Sequence, residues 1–454
     1  MKYDAFIIGS GQAGNPLAGA LARAGQTVAL AEGAEIGGSC VNFGCTPSKT
    51  IVASARAAYL ARRSEDFGVI TGEVHVDFDK VLARERKIVE EFRHSDTEKL
   101  KHAGVTILRH YAHFEDPHHL RVGDELVEAD KIYINTGCRP AFPPIPGLDT
   151  VGELDYHRLL GLKALPDHLL IIGGGYIGCE YAQTFRRFGC DVTMFEEGEQ
   201  ILSHEDGDIA GEAQKAMEAE GVRIIADTRV SKAERHGDRV HLTVDHHSAT
   251  EIFEGSHLLV VTGHVPNSDQ LGLDKAGVTT DPRGYIETDD HLRTHAPHIW
   301  ALGDVNGKGA FTHTSYNDYQ IVWDNLNGGS RKVTDRITIY AVFIDPPLGR
   351  VGMSEDEVRK SGRPALIGTM KMKNISRAIE RDETQGMMKV LVDAETQVFL
   401  GAAMVGIEAD ELIHLFADLM YAKVPYTVLK NAVHSHPTVA ELLPTLMENL
   451  RPLE

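Results

Sequence analysis

The chain opens with Ala5-Phe6-Ile7-Ile8-Gly9-Ser10-Gly11-Gln12-Ala13-Gly14, and the reading of that stretch decides the fold. Its four leading apolar residues form a short run suited to a buried parallel strand. Gly9, Gly11 and Gly14 then set a GxGxxG turn, and the alanine- and leucine-rich stretch Asn15 to Ala24 reads as a helix. Gly25 ends that helix, and Thr27 to Ala31 is a second strand closed by Glu32, 18 residues after Gly14. Glycines at these places permit a tight turn and let backbone N–H groups approach a pyrophosphate at a helix N-terminus. An acid at the end of the second strand can accept from ribose hydroxyls. A lone GxGxxG says little. Strand, glycine turn, helix, strand and acid in this order is the unit that binds a dinucleotide.

The unit recurs. Leu169 to Ile172 is again a strand, Gly173-Gly174-Gly175-Tyr176-Ile177-Gly178 is again GxGxxG, and Glu196 again lies 18 residues after the last glycine. Gly25 corresponds to Gly189 and Val28 to Val192, both at an offset of 164. Thr136-Gly137-Cys138-Arg139-Pro140 parallels Thr262-Gly263-His264-Val265-Pro266, each after an apolar strand. Two dinucleotide sites in one chain imply two redox cofactors that exchange electrons. At the second site a Glu196 carboxylate pairs with a free ribose 2′-OH and repels a 2′-phosphate, so NADH is preferred over NADPH. Glu197 adds negative charge there, while Arg186 and Arg187 lie earlier, on the predicted helix.

The rest of the chain is consistent with a soluble redox enzyme. Its 454 residues suggest about three domains. Apolar residues make up 42% and charged residues 25%, which excludes intrinsic disorder, collagen and coiled coil as whole-chain descriptions. A net charge of −20 argues against general binding to nucleic acid or anionic membranes. No apolar run approaches the roughly 18 residues of a membrane helix, and no signal peptide precedes the first strand. The five cysteines, Cys40, Cys45, Cys138, Cys179 and Cys190, are too few for a disulfide scaffold. A reducing cytoplasm is the expected location, where a cysteine pair is catalytic or metal-binding rather than structural.

Cys40-Val41-Asn42-Phe43-Gly44-Cys45 supplies such a pair. In one ideal helix the two Cα atoms would lie roughly 8–9 Å apart, beyond disulfide reach. A bridge therefore needs a distorted helix or a loop. Pro47 suits a first helical position with Thr46 as N-cap. That would place Cys45 near a helix N-terminus, where a thiolate is stabilised, with Lys49 adding positive charge. The other reading is two buried, reduced cysteines.

Gly37-Gly38-Ser39-Cys40-Val41-Asn42-Phe43-Gly44-Cys45-Thr46-Pro47-Ser48-Lys49 resembles the active-site signature of the class I pyridine nucleotide-disulfide oxidoreductases, and the resemblance covers essentially the whole chain. Thr294 to Asp304 resembles that family's second FAD motif, and His434-Ser435-His436-Pro437-Thr438-Val439-Ala440-Glu441 its His-Pro-Thr catalytic motif. The resemblance implies an α/β chain with two Rossmann-like domains, for FAD and NAD(H), and a C-terminal α+β dimerisation domain. The divisions expected are 1–148 and 271–335 for FAD, 149–270 for NAD, and 336–454 for the interface. Gly9, Gly11, Gly14, Glu32, Gly38, Ser39, Thr136, Gly137, Asp304 and Thr312 are the implied FAD contacts. Asp304 would meet the ribitol, and the backbone at Thr312 the pyrimidine edge of the flavin. Gly173, Gly175, Tyr176, Ile177, Gly178, Glu196, Val230 and Gly263 are the implied NADH contacts.

The resemblance also implies a mechanism. Cys45 lies against the flavin and Cys40 attacks substrate. Lys49 sits near the isoalloxazine and pairs with Glu180. His436, oriented by Glu441, is the acid/base and reaches the thiols of the other subunit, so the protein is a homodimer. Electrons pass from NADH to FAD, to the Cys40–Cys45 disulfide and on to a small-molecule disulfide or metal ion. Thr136 through Gly147, Phe311-Thr312-His313 with Tyr316 to Tyr319, and Ile344 to Leu348 have the flavour of the mercuric-reductase-like branch. They look closest to the reactive-chlorine-resistance flavoproteins, relatives that reduce metal ions such as Cu(II).

Alternatives remain. The complete Cys/Cys/His/Glu set also permits dihydrolipoamide dehydrogenase chemistry. Glutathione reductase is disfavoured by Glu196. The cysteine pair that ends a full mercuric reductase is absent from Leu450 to Glu454, and so is an N-terminal metal-binding module. Electrons could instead pass from FAD to oxygen or a quinone with the thiols idle. His264 stands where the family usually has arginine. Most histidines, His118-His119 and His246-His247 included, read as solvated turns, and no resident metal site is expected.

Overall fold

Two sheets with parallel centres carry the repeated motifs, and an antiparallel sheet closes the chain. The computed structural model describes residues 1–247 and 249–454. In the first sheet, β1 (Lys2–Ile8) lies between β2 (Val28–Ala31) and β6 (Glu125–Ile134), parallel to both. β3 (Thr106–Leu108) extends this sheet beyond β2. β4 (Ala112–Phe114) and β5 (His119–Val122) extend it in antiparallel fashion beyond the start of β6. Late in the chain β16 (Ile299–Ala301) returns to pair with β6 in parallel. Val28–Ala31 is buried throughout, as expected of a strand covered by helices on both faces.

The connection from β1 to β2 is α1 (Gly14–Arg23), whose buried face includes Leu17, Ala18 and Leu21. Between β2 and β3 three helices intervene: α2 (Gly38–Asn42), α3 (Cys45–Arg62) and α4 (Phe78–His102). Asp77 caps α4 by accepting from the Lys80 N–H at 3.1 Å. The thiol pair is therefore carried by an insertion into the first nucleotide unit.

β7 (Cys138–Pro140) pairs antiparallel with β15 (His264–Pro266), and this short ribbon joins the two nucleotide halves. Between them, α5 (Tyr156–Leu159) leads into a parallel sheet. It is formed by β8 (His168–Ile172), β9 (Asp191–Phe195), β10 (Arg223–Ile225) and β14 (His257–Val260), in the order β10-β9-β8-β14. α6 (Tyr176–Phe188) follows β8, and α7 (Gly207–Ala219) precedes β10. A three-stranded antiparallel sheet, β11 (Thr228–His236), β12 (Arg239–His246) and β13 (Ala249–Gly255), packs on this half. Val230 belongs to the core between the two sheets, and its side chain is only 7% exposed, which leaves it little access to any ligand.

α8 (Thr312–Leu326) follows β16, and the last sheet begins at Ile339. It has six antiparallel strands packed against the helix Ala409–Ala422. Val342 to Met353 is not one strand. Ile339–Val342 and Leu348–Gly352 pair with each other across Phe343-Ile344-Asp345-Pro346-Pro347. Two prolines in sequence cannot supply ladder N–H groups, so the chain turns there.

Asp345, in that turn, holds the three parts together. It accepts from Arg56 of α3 and from Arg187 of α6, the latter at 2.7 Å. Arg187 also grips Glu220 with two nitrogens, each 2.6 Å from a carboxylate oxygen. Removing one member of such a buried network leaves an uncompensated charge and costs roughly 3–5 kcal/mol. α3, the helix that begins at Cys45, is thereby fixed to the second nucleotide half and to the C-terminal sheet.

Candidate active site

The two glycine turns are built alike. Gly9 and Gly173 have φ of +96° and +113°, which favours glycine at both. The N–H of Gly9 donates to Ala31 O and that of Gly173 to Phe195 O, both at 2.9 Å. A Cβ on Gly14 would come within 2.4 Å of Gly9 O, and one on Gly178 within 2.0 Å of Gly173 O. The acids match as well. Glu32 accepts from Ser10 N and Ala34 N, each at 2.9 Å, and Glu196 accepts from Gly174 N at 2.6 Å and Gly198 N at 2.8 Å. Each carboxylate therefore sits beside the turn it serves. At the second site Arg186 is engaged with Asp191, and Arg187 with Glu220 and Asp345, so neither side chain is free to neutralise Glu196.

Both cradles fit dinucleotides. A Cβ on Gly175 would meet nothing within 4 Å, so the second turn faces open space where a backbone can approach a phosphate. At the first turn, Gly38 closes over Gly11, with its Cβ position 2.7 Å from Gly11 Cα. Asn15, in the first turn of α1, has both amide atoms buried with no protein partner, as suits a ligand that supplies them. Asp304 follows β16 in a one-turn 3₁₀ helix. Burial, with the negative charge of Asp318 beside it, raises its carboxyl to about 6. The charges acting on it, those of Asp318 and Cys45, are both negative, with no cation among them, which leaves it to accept from a polyol. It borders a cavity of about 250 Å³ lined by Cys138, Tyr176, His264, Tyr285 and Gly307.

The thiols lie at the junction of the halves. α3 starts at Cys45 itself, with Gly44 as the preceding cap residue, and not at Pro47 with Thr46 as cap. Pro47 instead occupies the third helical position, where its missing N–H costs no hydrogen bond. Cys40 belongs to the separate helix α2, and Phe43-Gly44 breaks the path between them. The single-helix separation computed from spacing thus does not apply. Both cysteines are free thiols in this structure.

Cys45 sits where two helices begin. Thr312 is the first residue of α8, and its Oγ1 lies 3.2 Å from Cys45 Sγ. Lys49 is one turn into α3, and its Nζ donates to Glu180 Oε2 at 2.7 Å. The other Glu180 oxygen accepts from Phe343 N at 2.9 Å, and the ammonium lies 4.7 Å from the Phe343 ring centroid. The Cys40 thiol, the Thr312 hydroxyl and the Lys49 charge hold Cys45 well below the usual thiol range, against burial and the Glu180 charge. The same contact with Cys45, together with burial, pushes Cys40 up. The reduced pair is thus polarised: Cys45 is the thiolate and Cys40 keeps the proton.

His436 stands apart from the thiols. Its Nδ1 lies 2.8 Å from Glu441 Oε2. Its side chain is 72% exposed whereas that of Glu441 is 12% exposed, so the carboxylate anchors the ring and the ring faces outward. Among the described residues no hydrogen bond joins His436 to Cys40 or Cys45 within the chain.

Ser39 lies beside the thiols in α2, Thr136 Oγ1 donates to Asn267 O at 2.8 Å, and Gly263 follows β14. Ile177, next to Tyr176 at the start of α6, packs at the edge of the main core. Among the described residues, no three His, Cys, Asp or Glu side chains converge as metal ligands. His118 instead stacks on His298 at 4.1 Å, and His119 bonds Asp116 at 2.8 Å.

Several residues that shape the site were not apparent from sequence. Ser10 Oγ donates to Glu32 at 2.6 Å. Asp318 accepts from Gly303 N at 2.8 Å and is paired with Arg336. Asn135 bonds both Gly14 and Leu302. Comparing Asn135-Thr136-Gly137 with Val261-Thr262-Gly263 would have exposed the last of these as a polar residue at an apolar place.

The arrangement is shared with known proteins. Residues 3–318 match the model of the pyridine nucleotide-disulphide oxidoreductases, and residues 338–447 match that family's dimerisation domain. The chain is 38% identical to the probable pyridine nucleotide-disulfide oxidoreductase RclA of Escherichia coli K12, over 97% of this chain and 98% of RclA. It is 30% identical to dihydrolipoyl dehydrogenase of Chlamydia muridarum, over 97% of this chain and 95% of the other. It superposes on the Cu(II) complex of the HOCl-induced flavoprotein disulfide reductase RclA from E. coli with a TM-score of 0.89. That match has 37% sequence identity and covers 98% of this chain and 99% of the other. Among the described residues, no helix is long and apolar enough to cross a membrane.

Proposed function

This chain belongs to the pyridine nucleotide-disulphide oxidoreductases, and from that premise we propose that it is an NADH-dependent reductase whose Cys40–Cys45 pair delivers electrons to a metal ion such as Cu(II). Members of the family are FAD-dependent enzymes that use NAD(H). The observation that carries the reading is the polarised thiol pair, held by Thr312 and Lys49 at the meeting of two nucleotide cradles. The likeness to a Cu(II) complex of an HOCl-induced relative favours a metal ion as acceptor.

FAD, when bound, would supply the two-electron carrier between NADH and the thiol pair. Gly9, Gly11, Gly14, Glu32, Gly38, Asp304 and Thr312 would hold it, while Gly173, Gly175, Gly178, Tyr176 and Glu196 would receive NADH. Lys49, fixed by Glu180, keeps positive charge beside Cys45. Cys45 stays ionised and Cys40, half-buried but reachable, meets the acceptor. Two Cu(II) ions each take one electron from the pair, the Cys40–Cys45 bond closes, and Cys40 loses one proton. His436 of the partner subunit accepts that proton, with Glu441 fixing the imidazole. In sum, NADH and two Cu(II) give NAD⁺, two Cu(I) and H⁺. Proton transfer by a positioned base typically contributes about 10²–10⁴-fold.

A second reading is dihydrolipoyl dehydrogenase activity, favoured by the Cys/Cys/His/Glu set and by the relative of that name. Anaerobic NADH oxidation decides between them. Rapid turnover with Cu(II), lost in Cys40→Ser, with little turnover on lipoamide, is the expected result. Fast Cys40-dependent lipoamide turnover would install the second reading. Electron transfer to oxygen or quinone that survives Cys40→Ser would discard both.

A further inference from the structure

We propose that Asn135 is a positioning residue that ties the pyrophosphate-binding turn of the first half to the turn carrying Asp304, and that this tie retains FAD. The proposal rests on the assignment of Gly9 to Gly14 and Asp304 to FAD. Asn135 follows β6 and is 6% exposed. Its Oδ1 accepts from Gly14 N at 2.8 Å, and its Nδ2 donates to Leu302 O at 2.7 Å, both bonds fully buried. Gly14 is the first residue of α1, and Leu302 directly precedes Gly303 and Asp304. One side chain thus spans the two FAD-facing turns, which lie 288 residues apart (302 − 14).

The glycines around the amide show how closely the parts fit. A Cβ on Gly11 would lie 2.7 Å from Asn135 Oδ1, and one on Gly303 2.7 Å from Asn135 Nδ2. The amide therefore fills the space behind both turns, and the backbone can approach it only because neither residue has a side chain. The Gly14 N–H is directed inward to Asn135, so the amide braces the turn from behind and does not compete for the ligand's side of it.

The second half supplies an internal control. Val261 N donates to Ile172 O at 2.9 Å, as Asn135 N donates to Ile8 O at 2.7 Å. A Cβ on Gly173 would strike Val261 O at 2.6 Å, as one on Gly9 would strike Asn135 O at 2.4 Å. The two positions are therefore equivalent, yet one is an amide and the other is apolar. Val261 meets its helix start only by packing, with Cγ2 3.4 Å from the Cβ position of Gly178. The difference follows the topology. β16 returns beside β6 in the first half, whereas β14 is the last strand of the second sheet. Only the first half has a second ligand-bearing turn to register, and only there is the residue polar.

The test uses the holoenzyme and two variants. Asn135→Val copies the second half; Asn135→Asp keeps the size and the acceptor for Gly14 but loses the donor to Leu302. FAD release is followed by the rise of free-flavin fluorescence on dilution and on heating, unfolding by circular dichroism, and NADH affinity by titration of the holoprotein. Expected are FAD release at least thirtyfold faster in both variants, flavin loss below the unfolding temperature, and NADH affinity within twofold of wild type. Release within threefold of wild type in a folded variant would overturn the proposal. So would flavin loss that merely coincides with unfolding while NADH affinity falls in parallel. If Asn135→Val does not fold, Asn135→Asp decides alone by the same criteria. Wild-type protein that binds no FAD would sink the assignment beneath the proposal, whatever the variants do.

Discussion

The two nucleotide-binding halves share a turn, a helix and an acid at the same spacing, and they differ in what is added around them. The second half crosses from its second strand, β9, to its third, β10, with the single helix α7 between them. The first inserts α2, α3 and α4 between its second and third strands, receives a late strand in β16, and exchanges Val261 for Asn135. The common part suits a dinucleotide through the backbone of its turn and the carboxylate of its acid. Within the two halves, the residues assigned reactive chemistry, Cys40, Cys45, Lys49 and Asp304, stand on the additions to the first, while His436 and Glu441 lie in the C-terminal part. The second half contributes Glu180, a carboxylate 3% exposed that fixes Lys49 across the junction. A nucleotide-binding unit is thus fitted with a thiol pair by insertion, while its turn, helix and acid keep their spacing.

Removing the inserted chemistry gives the largest expected effect. Cys40→Ser should lower thiol-dependent reduction by about 10³-fold or more, since a covalent nucleophile is lost. Stopped-flow reduction of the bound flavin by NADH should stay within about twofold, because hydride delivery uses the uninserted half. Loss of both rates together would break the division of labour.

The matching glycines test the shared part. Gly14→Ala and Gly178→Ala place a methyl 2.4 Å from Gly9 O and 2.0 Å from Gly173 O. Overpacking of this kind costs about 1–3 kcal/mol, which is roughly fivefold to 150-fold if it falls wholly on affinity. Gly14→Ala should lower FAD content and spare NADH affinity, and Gly178→Ala should do the reverse. Parallel loss of both cofactors from either variant would show that the halves are not independent.

The acids should give a smaller effect. Glu196→Gln removes the charge that repels a 2′-phosphate, and the preference for NADH over NADPH, as kcat/KM, should fall by about tenfold. The equivalent Glu32→Gln should leave that ratio untouched. An unchanged ratio in Glu196→Gln would move nucleotide choice elsewhere in the second half.

What was legible in the sequence was what repeats or what has a fixed chemical signature. The offset of 164 survives folding: Ser10 and Gly174, Ala34 and Gly198 bond the two acids in the same way. The Lys49–Glu180 pair was legible through charge and through family resemblance, although spacing alone could not set its distance. The start of α3 was misplaced because Thr-Pro is a strong local start signal, whereas here glycine frees the chain to begin the helix two residues earlier, at Cys45 itself. The apolar content of Val342 to Met353 suits a strand, but Pro346-Pro347 divides it in two. Asn135 was hidden for a different reason. Its meaning depends on Leu302, which no local pattern brings near.

Thr312 allows the finest test, because it joins the inserted chemistry to the start of α8 by one contact of 3.2 Å. Thr312→Val keeps the shape and removes the hydroxyl. A hydrogen bond is worth about 1 kcal/mol net, so the Cys45 thiol should rise by roughly 0.7 pH unit. Alkylation of the reduced protein by iodoacetamide, assigned to Cys45 by mass spectrometry, should therefore need a more alkaline pH in the variant. The stability consequence has a definite sign. Cys45 is lowered in the folded protein from an ordinary value of 9.0, so its ionisation adds stability above that pH. That contribution is lost as the pH falls through the folded value, and below it the thiol is protonated in both states. Reduced Thr312→Val should thus be less stable than reduced wild type above pH 9.0, and the two should converge in acid. An alkylation profile that does not move would mean that the Cys40 thiol and Lys49 hold the thiolate without the hydroxyl. The tuning would then lie wholly within the insertion, and α8 would only border it.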